Sequence, residues 1–352
     1  MSKLAEPVGC NTVGSVSFLC GLVGGTGSSI IIKLLYQMVA KDSEGNVRHF
    51  EKPLFLTFIM FIAMACALPC YWVQQSLKAP AERLPRVPGR ILWGLFIPSV
   101  FDLIGTNLAQ VGLLFTTVSY YQLLRCTVIV VTALLKAFVL HQRLLPYMWW
   151  GVLINIVAMV LVSITNFVGP EGVQPDGASN PALGALFILL SCVVQGSQYV
   201  FEEKVMAVDG APPLVVIGME GVWGTAIMLV ILPIAAALPG RDLGTIENTV
   251  DSIVMVTQNR GIQARNGTSC VMLLAFFITI TSYNIFCIYV TAYLSAIWHA
   301  ILDNFRPVSV WGTDLLIFYV ITGGSFGEAW TPYSWLQLFG MLVREGGRGE
   351  KD

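Results

Sequence analysis

The sequence predicts an all-α integral membrane protein, with ten transmembrane helices forming two inverted five-helix repeats and a short last helix. Three observations predict it. Of 352 residues, 55% are apolar and only 12% charged, about half the charged share of a soluble domain. The apolar residues fall into ten runs, most near the 20 or so residues that cross a bilayer as a helix. Five runs precede a Gly/Pro-rich linker and five follow it, and an odd number per half forces the halves into opposite orientation. The runs lack the strict alternation of barrel strands.

In order, the expected spans are 13–36, 53–73, 91–115, 118–140 and 147–167, then 182–201, 214–238, 271–290, 294–321 and 330–343. The first has only Lys3 as a positive flank and an apolar run longer than a signal peptide's, so it reads as a retained span. Asp42-Ser43-Glu44-Gly45-Asn46 separates the first two spans, and Pro80, Pro85 and Pro88 the next two. The domain reading is a first repeat over 1–168, a lumenal linker over 169–181, and a second repeat over 182–352. This second repeat contains a large lumenal loop at 239–270 and ends in a short polar tail. Each half has its tightest hairpin before its fourth span, at Thr116-Thr117 and near Thr291–Tyr293, and each fourth span carries a deep arginine, Arg125 or Arg306.

Charge sets the orientation. With the N-terminus in the cytosol, eleven Lys/Arg fall on the cytosolic side and six on the other, the bias the positive-inside rule expects. Both termini are then cytosolic. The glycosylation triplet Asn266-Gly267-Thr268 is lumenal, which makes Asn266 a candidate acceptor.

Composition and motifs exclude several functions. A net charge of −1 leaves no basic field for nucleic acid. The chain has no Walker A loop, zinc-protease helix, nucleophile elbow or dinucleotide fingerprint. No enzyme activity, cofactor or metal is therefore expected. The eight cysteines show no disulfide or metal spacing and read as small apolar residues.

The informative residues are ionisable groups inside spans. Each costs about 2.5–3.5 kcal/mol at a helix centre on insertion scales, so each normally faces a protein interior or a wet cavity. Asp102 lies about 16 Å into the third span, with Thr106 one turn on and Asn107 beside it. Tyr121 and Arg125 share a stripe of the fourth span, with Gln122 three residues before Arg125. His299, Asp303 and Arg306 share a face of the ninth. Glu220 lies six residues into the seventh span, within reach of the interface, and Glu202-Glu203-Lys204 reads as head-group charge closing the sixth. Asp102, Asn107, Tyr121, Gln122, Arg125, Glu220, Asp303 and Arg306 are the candidate solute-binding residues, and His299 and Asp303 the candidate proton-coupling pair. Guanidinium suits carboxylate or phosphate, so Arg125 is expected to hold an anionic group. The competing reading is a non-transporting multi-pass interaction protein whose interior charges only lock helices together.

Several segments resemble a known family. Phe101-Asp102-Leu103-Ile104-Gly105-Thr106-Asn107-Leu108, Tyr121-Gln122-Leu123-Leu124-Arg125 and Gln142-Arg143-Leu144 are similar to solute carrier family 35 proteins of subfamily F, member 6 type. Glu202-Glu203-Lys204, Gly218-Met219-Glu220-Gly221 and Leu302-Asp303-Asn304-Phe305-Arg306 match the same group in order. The group sits in the drug/metabolite transporter superfamily, more distantly similar to nucleotide-sugar and chloroquine-resistance transporters. The resemblance implies a secondary-active or facilitative transporter that moves a small-molecule solute by alternating access. Its setting would be the lipid bilayer of an endomembrane, lysosome, vacuole or Golgi, with a homodimer as the assembly to test. Two features depart from the pattern. The last apolar run breaks at Arg344-Glu345-Gly346-Gly347, as in a truncated or alternative C-terminus, and residues 323–332 are long for the turn before the last span.

Overall fold

The computed structural model describes residues 12–37, 39–41, 47–50, 52–79, 83–84, 87–115, 121, 124–139, 141, 149–150, 152–153, 156, 181–208, 210–242, 244–257 and 268–321. Six helices among them are long and apolar enough to cross a membrane: Thr12–Tyr36, Pro53–Leu77, Gly89–Gly112, Ala182–Ala207, Pro213–Ala237 and Cys270–Tyr293. They coincide with the first, second, third, sixth, seventh and eighth expected spans. The fourth is represented by the shorter apolar helix Thr127–Val139. The ninth is represented by Ala296–Leu316, followed by a π-helical turn at Ile317–Ile321. Most of the fifth span, the 169–180 linker, Gln122, Asn266 and the tenth span lie outside the described residues.

The chain folds into two compact units, each drawing on both halves of the sequence: residues 1–99 with 209–293, and residues 100–208 with 294–352. In the first, α1 (Thr12–Gln37) leads into a hairpin of β1 (Val39–Lys41) and β2 (Val47–His49), paired antiparallel with Ala40 opposite Arg48. This hairpin is a short addition to a mainly helical, all-α fold. Three-residue strands are too short to show a period of two in sequence. α2 (Pro53–Ala65) and α3 (Ala67–Leu77) form one span interrupted at Cys66, and α4 (Gly89–Gly94) leads into α5 (Phe96–Leu114). The unit is completed by α8 (Pro213–Ala237), β3 (Pro239–Asp242), α9 (Thr249–Thr257) and α10 (Thr268–Tyr293). Pro53 and Pro213 open their helices where a missing N–H costs nothing.

Small residues set the packing of this unit, as in membrane helices generally. A Cβ at Gly24 of α1 would sit 3.0 Å from the Tyr283 backbone N of α10. On α8, a Cβ at Gly221 would fall into the α2–α3 backbone at Met64 and Ala65, and one at Gly224 into the Phe61 ring. Overpacking costs about 1–3 kcal/mol even where side chains can shift, and backbone shifts less readily. Gly221→Val is therefore expected to remove most folded protein, read as loss of the monodisperse peak on size exclusion, whereas Gly312→Ala, which meets open space, should leave it intact.

A polar clasp closes one end of this unit. Buried Lys52 donates from Nζ to Asp242 and, at 2.8 Å, to Asp251. Glu247 accepts the N–H groups of Leu54 and Phe55 at 2.8 and 2.7 Å, satisfying donors that the first turn of α2 leaves open. Burial pushes its carboxyl above the usual glutamate range, while the two N–H groups and Lys52 pull it back. The clasp holds the segment after α8 against the start of α2.

The second unit contains most of α5, α6 (Thr127–Val139), α7 (Pro181–Val208) and α11 (Ala296–Leu316). Its core joins Leu124, Val128 and Ile129 to Ile188, Cys192, Tyr199 and Val200 of α7 and to Ala296 and Ala300 of α11. Glycines again allow close approach: a Cβ at Gly112 would meet Ile188 Cγ1 at 2.6 Å, and one at Gly196 would meet Val131 Cγ1 at 2.9 Å.

Candidate functional site

The polar side chains of the second unit converge on α7. Arg125, just before α6, donates from Nη1 to Tyr121 Oη at 3.0 Å and from Nη2 to Gln195 Oε1 at 2.5 Å. Its guanidinium also lies 5.8 Å from the Tyr121 ring centroid, a cation–π contact. Both hydrogen-bond partners are neutral. Among the described residues no carboxylate lies within ion-pair distance of Arg125, although Asp303 is within Coulombic reach. A guanidinium has five N–H donors in a planar fork, and two bonds leave others for a ligand.

Asp303 accepts a hydrogen bond from Tyr199 Oη, and the Tyr199 ring stacks on buried His299 with centroids 4.0 Å apart. Arg306 and His299 also act electrostatically on Asp303. Asp102 accepts from Thr106 Oγ1 at 3.4 Å, and Asn107 donates its amide to the Leu103 carbonyl at 2.7 Å. Asp102, Glu202 and Asp303 lie within Coulombic reach of one another.

Most of the residues singled out in the sequence therefore meet in one unit: Asp102, Asn107, Tyr121, Arg125, His299, Asp303 and Arg306. Glu220 belongs to the first unit, where it is fully buried and its backbone carbonyl accepts Ser99 Oγ at 3.1 Å. It does not sit at an interface with water.

Two sequence expectations are corrected here. Glu202 and Glu203 are not head-group charges, for both are buried, while Lys204 alone is exposed. Glu203 pairs with Lys136 at 2.7 Å and accepts the Ala296 N–H at 2.8 Å, tying α6 and α7 to the first turn of α11. Lys136, one of the eleven charges assigned to the cytosolic side, is buried in that pair.

A family model described as solute carrier family 35 (SLC35F) matches residues 21–258, more than half of the chain. The chain belongs to solute carrier family 35. Solute carrier family 35 member F6 of Rattus norvegicus is 29% identical to it over 93% of this chain and 85% of that protein, and the Homo sapiens member F6 is likewise 29% identical with the same coverage. A UDP-galactose transporter of Schizosaccharomyces pombe is 28% identical over 51% of each chain. A solved crystal structure superposes with a TM-score of 0.60 over 96% of this chain and 95% of that one at 13% identity, a likeness of fold alone.

The family segment contains Asp102, Arg125 and the whole of α7. The relatives' coverage extends the likeness over most of the solute carrier 35 chain, which makes it a multi-pass membrane protein of a solute-transporter family. Four α7 residues of the site were missed in sequence: Gln195, Gln198, Tyr199 and Glu202. Their spacing of i, i+3, i+4 and i+7 puts them on one helical face, and that polar stripe in an apolar run was a readable signal.

Proposed function

We propose that this solute carrier 35 chain moves a small, polar, anionic organic solute across an endomembrane by alternating access, with Arg125 holding the anionic group. The observation that carries the reading is Arg125 itself. A cation inside a span is costly, and among the described residues this one hydrogen-bonds the neutral oxygens of Tyr121 and Gln195, with Asp303 acting on it only at Coulombic range. An incoming carboxylate or phosphate would supply the missing charge. The UDP-galactose transporter among the relatives supports an anionic substrate class, since a nucleotide sugar carries phosphate. Asp102, Asn107, Asp303 and Arg306 would orient the rest of the solute, Gln122 is retained as a further donor, and His299 with Asp303 would respond to pH. The ten spans in two inverted repeats, cytosolic termini and lumenal Asn266 complete the proposal.

A second reading draws on the Lys136–Glu203 pair, which spends two interior charges on joining helices. If every interior charge did so, the protein would be a membrane scaffold. A thermal-shift screen of the purified protein separates the readings. A ligand at a hundred times its Kd stabilises by about 2.7 kcal/mol, so organic phosphates or carboxylates should raise the midpoint while neutral and cationic solutes leave it unmoved. Stabilisation by cations alone would sink the anion site, and no response to any class would favour the scaffold.

A further inference from the structure

Glu202, which the sequence suggests is a head-group charge, is a second unusual buried charge in the same unit. It lies on the sixth span and is 1% exposed. Its Oε2 has no hydrogen-bond partner among the described residues. One turn earlier, Gln198 is 5% exposed and directs its side chain at Glu202, yet its own Oε1 has no partner either. Two buried polar groups side by side with unused oxygens form a site with hydrogen-bonding capacity to spare, whereas buried polar groups are ordinarily satisfied.

The surrounding charges say what that capacity is for. Asp102 on α5 and Asp303 on α11 act on Glu202 with like charge. The nearby cations are engaged elsewhere: Lys136 bonds Glu203, and Arg125 bonds Tyr121 and Gln195. His299 and Arg306, also on α11, act on Asp303, which takes the Tyr199 hydroxyl. An ionised Glu202 would be a buried charge beside two others of the same sign with no bonded cation among the described residues, an arrangement that low dielectric makes expensive. A proton on Oε2 removes both the charge and the unused acceptor.

We propose that Glu202 is a proton-binding site, taking a proton onto its carboxyl from the aqueous phase and returning it there. Uptake breaks one O–H bond of a hydronium ion and forms the Oε2–H bond, leaving water; release reverses both, and no oxidation state changes. Where the chain transports, this proton would move in step with the solute. That coupling rests on the function proposed above, but the proton site does not.

Infrared difference spectroscopy of the full-length protein in lipid, with and without 13C-glutamate, tests it. A protonated carboxyl gives a C=O band that ionisation removes, and the label moves glutamate bands away from aspartate ones. The expected result is a glutamate band that grows on acidification, is lost in Glu202→Gln and persists in Glu220→Gln. Glu202→Asp, which keeps a carboxyl and stays informative if Glu202→Gln does not fold, should move the band to the unlabelled set. A titrating glutamate band unchanged in both Glu202 variants would overturn the proposal, as would the absence of any titrating glutamate band in the unmutated protein. A titrating Glu202 in a protein that binds no solute would sink the transport reading and leave the proton site standing.

Discussion

Arg125→Ala is expected to abolish anion binding while the protein still inserts and elutes as a single species. Truncating one partner of a buried, hydrogen-bonded charge pair costs about 2–5 kcal/mol, at least thirtyfold in Kd. Arg125→Lys keeps the charge but loses the planar fork, so it should recover only part of the affinity, and least for a group held bidentately. Titration calorimetry with the stabilising anion reads both. Normal affinity in the two variants would make Arg125 a structural residue, held by Tyr121 and Gln195 for packing alone.

The second large effect concerns stability. Lys136→Met leaves Glu203 buried with the Ala296 N–H as its remaining partner. Removing one member of a buried pair costs about 3–5 kcal/mol, whereas replacing both is often close to neutral. The single variant should therefore lower the thermal midpoint sharply. The double variant Lys136→Met with Glu203→Gln should restore most of it, because the glutamine carbonyl can still accept from Ala296. If the double variant is as unstable as the single one, the tie among α6, α7 and α11 depends on shape and not on charge.

These residues also show where sequence reading succeeds and stops. Span positions were legible because length and apolarity are local properties: Pro53, Pro213 and Tyr293 bound helices within a few residues of where the sequence put them. Asp102, Arg125 and Asp303 stood out because a charge inside an apolar run is conspicuous without a partner. Glu203 and Lys136 did not, since each closes an apolar run where long charged side chains usually reach water. Only their meeting, 67 residues apart in sequence, shows that they are buried. Glu202 was hidden by the same neighbourhood. The β1–β2 hairpin and α9 lie in segments read as connectors, and the Lys52–Asp251 bond in the clasp spans 199 residues, a distance no local pattern encodes.

The central claim is that this solute carrier 35 chain carries an anionic solute on Arg125. Counterflow in liposomes tests it most directly: purified protein is reconstituted into vesicles preloaded with an unlabelled organic phosphate or carboxylate, and entry of the labelled form is followed. The account predicts transient accumulation that requires the protein, occurs for at least one anion, and disappears in Arg125→Ala reconstituted to the same level. Carriage of neutral or cationic solutes alone would contradict it, and so would anion uptake that survives the loss of Arg125.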